Sequence, residues 1–357
     1  MTWHCKQTLT LRARYSCSAM TSPSPPHESS GNGLDPLDFR TPVTLLTGWL
    51  GAGKTTLLNR ILSAPGGVKY AVLVNEFGEI GVDHRLVISS NETIVELSNG
   101  CVCCAVRGDL VKTLKRLKSR RALGLLPARN FDRVLLETTG VAEPAPLLRT
   151  FLVEENIASR YRVDAVVCMV DALHLDRALS GNSAAHDQIA LADLLLVNKA
   201  DLVNEEQLTD CKTTVSRINP ASTISHCIHA EVDLQEVLAS RPMRPLEHLE
   251  INQPGSGHAG LHSVALTSDI PLDPLRAELW FNSVASSHSG ELVRWKGFLN
   301  LEGHPEQAVL QGTYELFNVA AGEPWGDRTP RTELVFIGRD LNKESLARGL
   351  QASEIKP

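Results

Sequence analysis

From Thr41 to about residue 240 the chain repeats one pattern: a short apolar run, a polar or glycine-bearing junction, then apolar residues at helical spacing. VTLLT reads as a strand, GWLGAGKTT as a loop and TTLLNRILSA as a helix. KYAVLVNEFGE is an apolar strand ending in Asn75 and Glu76, and ETIVELSNG is a strand that runs into Cys101. RGDLVKTLKRLKSR is an amphipathic helix, FDRVLLETTG a buried strand, and the stretch around PAPLLRTFLVEEN is helical. The apolar strands RVDAVVCMVDA and ADLLLVNKAD and the helix EEQLTDCKTTVSRIN complete the alternation. Strands alternating with helices predict an α/β fold, a mostly parallel sheet covered by helices on both faces. In such sheets ligands gather at the carboxyl ends of the strands. The glycine-rich loop, Asn75 and Glu76, the cysteines after residue 100, the segment Glu137 to Gly140 and the segment Asn198 to Asp201 are therefore expected on one edge.

The pattern changes on either side of this region. Residues 1–40 are basic, rich in hydroxyl residues and free of acids before Glu28, and they include SPSPPHESSGNG, so a disordered tail or an organelle transit peptide is expected. A Pro- and Gly-rich stretch, 241–260, reads as a linker after a nucleotide-binding domain spanning 41–240. Beyond it, LHSVALTSD, ELVRWKGFLNL, AVLQGTYELFNV and RTELVFIG read as strands, and DPLRAELWFNSVA and NKESLARGL as helices, giving a smaller α+β domain over 261–357.

Composition narrows the function classes. A net charge of -6 in 357 residues supplies no basic face for nucleic acid. No apolar run is long enough for a membrane span, so a soluble, cytoplasmic protein is expected, or an organellar one if the tail is a transit peptide. Eight cysteines, three of them packed together, do not make a secreted disulfide framework and fit reduced thiols.

GWLGAGKT matches the phosphate-binding pattern G-x-x-x-x-G-K-[ST] in full, so the fold class sharpens to a P-loop NTPase. Gly48, Gly51 and Gly53 let backbone N–H groups turn toward phosphates, with Ala52 and Thr56 completing the contact set. Lys54 is expected on the β and γ phosphates and the Thr55 hydroxyl on Mg²⁺. Glu137 and Gly140 in LLETTG stand where a carboxylate and a glycine sense the γ-phosphate. Asp171 either caps the following helix or adds a second acid. In NKAD, the Asp201 carboxylate suits the paired N–H donors of guanine, Lys199 lays its stem over the base and Asn198 completes the set, which favours GTP over ATP.

Gly100-Cys101-Val102-Cys103-Cys104 reads as a zinc site, because thiolates bind Zn²⁺ strongly. Cys101 and Cys103 project to one side of an extended chain, while Cys104 joins them only if the backbone bends. Three sulfurs leave one tetrahedral position for Glu76, Glu79, a histidine, water or a partner's group. Cys168 and Cys211 read as core residues. His248, His258 and His262 read as solvated linker histidines, with a metal shuttle as the alternative. Arg294, Trp295 and Lys296 either contact a partner or close the second domain.

Taken together, GWLGAGKTT, VNEFGE, NGCVCC, ETTG, NKAD and, in the second domain, RWKGFL, PWGD and VFIG resemble the CobW family of metallochaperone GTPases from Thr41 to about Gly349. The long histidine tract common in that family is absent. The resemblance implies a P-loop GTPase domain with a CobW-type C-terminal domain, and GTP/GDP, Mg²⁺ and Zn²⁺ as cofactors. It also implies GTP-linked transfer of zinc, or in some branches cobalt, to a client metalloenzyme. No nucleic acid or membrane partner is expected, and a homodimer stays open. Slow intrinsic turnover is expected, since no arginine in the sequence is an evident finger. The competing expectations are a nucleotide-stabilised metal buffer and a small-molecule kinase.

Overall fold

The computed structural model describes residues 40–64, 68–74, 110–115, 117, 131–181, 183–239, 261–288 and 291–356, and the backbone of 93–96. The N-terminal tail, the 241–260 stretch, Asn75, Glu76, Glu79, Cys101, Cys103, Cys104, His248 and His258 lie outside the described residues.

Seven strands form the first sheet: β1 (Thr41–Thr47), β2 (Tyr70–Val74), β3 (Thr93–Glu96), β4 (Arg133–Glu137), β5 (Tyr161–Asp171), β6 (Leu194–Asn198) and β7 (Thr223–His226). Their order is β3-β2-β4-β1-β5-β6-β7, and every neighbouring pair is parallel. Both faces are covered, so strands such as YAVLV and LLLVN are buried at every position. The chain leaves β1 toward β2 on one side and later returns to β5 on the other, so β1 lies at the switch point where such sheets bind ligands.

Helix α1 (Lys54–Ser63) buries Leu57, Leu58, Ile61 and Leu62. The other helices of this domain include α2 (Ala145–Val153), α3 (Glu155–Ala158), α4 (Leu175–Gly181), α5 (Ser183–Leu191), α6 (Glu205–Ile218) and α7 (Leu234–Leu238). Asn204 and Gln207 form a reciprocal capping box at the start of α6. Cys168, Cys211 and Cys227 are free thiols buried in this core. Among the described residues no helix is long and apolar enough to cross a membrane.

The second domain is a five-stranded antiparallel sheet of β8 (Leu261–Ser268), β9 (Leu292–Leu299), β10 (Glu306–Thr313), β11 (Leu316–Pro324) and β12 (Thr332–Arg339), in the order β11-β10-β9-β12-β8. Helices α8 (Pro274–Ser287) and α9 (Lys343–Ser353) share a core with one face of it. AVLQGTYELFNV is two strands joined through Tyr314 and Glu315, and His262 is no linker residue but part of β8, where its Nε2 lies 3.1 Å from the Leu341 carbonyl oxygen.

The other face of this sheet packs on the first domain, with Val293, Phe298, Val335 and Ile337 joining that domain's core. A bulge in β9 at Val293 turns both Val293 and Arg294 to this side. Arg294 donates to Asp193 Oδ1 at 2.5 Å, Lys296 donates to the same oxygen, and Asp193 Oδ2 accepts from the Val166 N–H at 2.8 Å. All three side chains are more than nine-tenths buried. Arg339 adds an ion pair to Asp187 at 3.2 Å. Arg294 and Lys296 thus close the two domains on each other, and Trp295 points into the core on the opposite face.

Candidate functional site

The loop from Gly48 to Gly53 follows β1, and its backbone explains its composition. Gly48 has φ +127°, and a Cβ there would lie 2.3 Å from the Met169 carbonyl oxygen on β5. Gly53 has φ +108°, and its Cβ would lie 2.4 Å from Asn198 Nδ2 on β6. Glycine is required at both positions by conformation and by contact. Gly53 also caps α1 without a side-chain acceptor, so the first-turn N–H groups remain for an anion. The Lys54 amine is buried and donates to the Trp49 carbonyl at 3.2 Å, while Thr56 is exposed at the loop's edge.

The carboxyl end of β4 meets this loop. Thr55 Oγ1 donates to Glu137 Oε1 at 3.1 Å, which joins a hydroxyl and a buried carboxylate of the kind that Mg²⁺ accepts as ligands. Thr138 is tied to β1 twice, N–H to the Leu46 carbonyl at 2.9 Å and Oγ1 to Thr47 Oγ1 at 3.0 Å. Gly140 lies so close to the loop that a Cβ would sit 2.4 Å from the Leu50 nitrogen. From beneath, Gln188 on α5 donates to the Gly140 and Ala142 carbonyls at 3.4 and 3.0 Å.

On the other side of β1, buried Asn198 donates from Nδ2 to the Ala52 carbonyl at 2.9 Å and accepts at Oδ1 from the Ala230 N–H at 3.0 Å. Lys199 takes the left-handed conformation (φ 61°), and Asp201 is exposed in the short 3₁₀ turn Ala200–Leu202. Asp171, at the end of β5, accepts from the Leu173 N–H at 3.0 Å, the arrangement that starts the next turn. Its other oxygen accepts from Lys199 at 2.6 Å and lies 3.0 Å from His174 Nδ1. Burial pushes this carboxyl up, but the hydrogen bonds and charges of Lys199 and His174 outweigh it and hold Asp171 below the usual aspartate value. Burial drives the Cys168 thiol up to about 12, against the pull of the Lys54 charge, so it stays an inert core thiol.

The described structure thus brings Gly48, Gly51, Ala52, Gly53, Lys54, Thr55, Thr56, Glu137, Gly140, Asn198, Lys199 and Asp201 to one edge of the sheet. Each lies at or just after the carboxyl end of β1, β4 or β6. Cys101, Cys103, Cys104 and Glu76 are outside the described residues, and among the described residues no group of three or more His, Cys, Asp or Glu could hold a metal ion. What is described is the end of β3 at Glu96, on that same edge, three strands from β1 or about 14 Å at ordinary strand spacing.

Residues 42–226 match the family described as CobW/HypB/UreG, nucleotide-binding domain. The chain belongs to that family. Residues 261–354 match the Cobalamin synthesis protein cobW C-terminal domain, so the second sheet is a CobW C-terminal domain. Among relatives, the chain is 34% identical over 310 residues to the zinc chaperone YjiA of Escherichia coli, covering 85% of this chain and 96% of that protein. It is 29% identical over 382 residues to zinc-regulated GTPase metalloprotein activator 1 of Dictyostelium discoideum, covering 86% of this chain and 78% of that one. A crystal structure of Zn(II)-bound YjiA GTPase from E. coli is 30% identical and superposes with a TM-score of 0.67 over 88% of this chain and 99% of that chain.

Within this CobW-family site, two contributions escaped sequence reasoning. The Cys227–Ala230 turn after β7 supports Asn198, and His229 and Ala230 both take positive φ, 51° and 56°. Its only sequence signal is a four-residue strand, TISH. Gln188 lies in a helix that no apolar period announces, because residues 184–191 are all buried.

Proposed function

We propose that this CobW-family protein is a GTP-hydrolysing zinc metallochaperone that binds zinc through Cys101, Cys103 and Cys104, with Glu76 one candidate for the fourth position, and passes it to a client metalloenzyme. The observation that carries the reading is the joined set on one sheet edge: Lys54 on the loop, Thr55 against Glu137, and Asn198 against Ala52. β3 ends on that edge, and its chain continues in sequence to the cysteines. The relatives named zinc chaperones and zinc-regulated GTPases support the same reading.

In this reading the loop N–H groups and Lys54 bind the phosphates and offset charge on the transferred group. Thr55 and Glu137 would hold Mg²⁺, which would supply positive charge against that of the phosphates. Gly140 lets the turn after β4 approach the γ-phosphate, and Asp201 selects guanine while Asn198 and Lys199 fix the base side. The sequence offers no evident arginine finger for the transition-state charge, so intrinsic turnover is slow and a partner supplies what is missing.

The test is phosphate release by the full chain from GTP and from ATP, together with Co²⁺ titration read by thiolate-to-metal charge transfer. GTP is hydrolysed in preference to ATP, and Lys54→Ala lowers turnover by about 10²–10³-fold, as loss of one preorganised charge does. The Co²⁺ band vanishes when Cys101, Cys103 and Cys104 are all replaced by serine. Hydrolysis insensitive to Lys54, or a band unchanged in the serine variant, contradicts the reading.

A further inference from the structure

Gln188 is wholly buried on α5, and its side-chain nitrogen serves both the Gly140 and the Ala142 carbonyls. Only the NH₂ group can donate to two carbonyls, so the amide orientation is fixed. Its Oε1 is buried and accepts no hydrogen bond from the described residues. Asp187, the preceding residue, points about 100° away around the helix. There it meets Arg339 at the end of β12. Six residues further on, Asp193 meets Arg294 and Lys296 of β9. One short segment therefore holds the turn after β4 on one side and three cations of the C-terminal sheet on the other. A second connection runs outside it: α2, which continues from that turn, pairs Arg149 with Glu315 at the tip of the β10–β11 hairpin.

We propose that the segment from Asp187 to Asp193 couples the nucleotide-facing turn to the CobW C-terminal domain, with Gln188 as the positioning residue for Gly140. This rests on the GTPase reading above. If Gly140 moves toward or away from the γ-phosphate, Gln188 follows it or lets go. A rigid helix passes that displacement to Asp187 and so to the ion pairs of the C-terminal sheet. The coupling is mutual: disturbing the C-terminal side changes how Gly140 is held. The CobW C-terminal domain then reads the nucleotide state, rather than riding passively beside it.

Lying between two sites is not by itself coupling, so the test is a double-mutant cycle on GTP hydrolysis by the full chain. Gln188→Met, which keeps the volume and removes both N–H donors, lowers kcat about tenfold while KM for GTP stays within about twofold, the signature of a misplaced group. Arg339→Ala, distant from the nucleotide, lowers kcat about threefold, and the double variant is no slower than Gln188→Met alone. GDP affinity close to that of the wild type confirms that each variant is folded. Effects that multiply, or a Gln188→Met enzyme with wild-type kcat and intact GDP binding, overturn the coupling and leave the GTPase reading standing. A wild-type chain that does not hydrolyse GTP overturns both.

Discussion

Arg294, Trp295 and Lys296 are consecutive, and the pleat of β9 sends them to opposite faces of one sheet. Trp295 enters an apolar layer: its ring lies 5.9 Å from Phe281, 5.0 Å from Phe317 and 6.0 Å from Phe336, and its Nε1 donates to the Tyr314 carbonyl at 3.2 Å. Its neighbours enter an equally buried layer whose centre is the carboxylate of Asp193. The two faces bury their residues to the same extent and use them differently. Apolar packing is tolerant of small displacements and supplies most of the stability. Two cations on one buried carboxylate add little net energy, since desolvation offsets attraction, but they penalise any arrangement that leaves one charge unpaired. The aromatic face thus holds the C-terminal domain together, and the charged face fixes how that domain sits on the GTPase domain.

The largest expected effect separates the faces. Trp295→Ala costs the C-terminal domain about 3–5 kcal/mol by loss of a large buried aromatic, seen in calorimetry as early melting of that domain with GDP binding retained. Asp193→Ala costs about 3–5 kcal/mol, because Arg294 and Lys296 then stay buried side by side with no carboxylate between them. Replacing the three together, Asp193→Leu with Arg294→Met and Lys296→Met, stays within about 1–2 kcal/mol of wild type in denaturant unfolding. A triple variant as unstable as Asp193→Ala would show that the charges stabilise rather than orient.

The smallest effect concerns pH. Burial pushes the Asp193 carboxyl up, but the charges of Arg294 and Lys296 and the hydrogen bonds from Lys296 and Val166 outweigh it, so its folded pKa is depressed. The unfolded chain then takes the proton more readily. The contribution of Asp193 is present above the unfolded value of about 3.9 and is lost as pH falls through the folded value. Asp187 runs the other way. Burial, helped by the charge of Glu143, raises its carboxyl despite the Arg339 guanidinium, so its contribution is fullest below about 3.9 and is lost as pH rises through the raised value. Thermal melts between about pH 3 and 7 show Asp193→Asn removing part of the acid-side loss and Asp187→Asn removing part of the loss on the upper side.

The same contrast explains what was legible in the sequence. β1, β2, β4, β5 and β6 are short apolar runs buried on both faces, and the glycines of the loop carry their own conformational reason, so strand, loop and helix could be read directly. Helix α5 could not, because His186, Asp187 and Gln188 are polar and yet buried, so the helix has no polar face to give it a period. Their partners, Gly140, Ala142 and Arg339, are 48, 46 and 152 residues away. The β10–β11 turn was hidden for a related reason. Tyr314 takes φ 54°, where glycine or asparagine would have signalled a turn, and is held there by its N–H to the Val293 carbonyl at 3.2 Å and by Trp295. In each case the deciding contact is tertiary. Arg294 and Lys296 were visible as charges, but only the fold supplies Asp193 as their partner.

Linkage between a thiolate zinc site and the nucleotide edge is read by calorimetric titration of GTP into the full chain with and without Zn²⁺. The wild type and the Cys101→Ser, Cys103→Ser, Cys104→Ser variant are compared. Linkage requires that zinc change GTP affinity by the same factor by which GTP changes zinc affinity, a factor of about 5–150 for ordinary coupling. Such a shift is expected in the wild type and none in the serine variant. Equal GTP affinity with and without zinc in the wild type would contradict it.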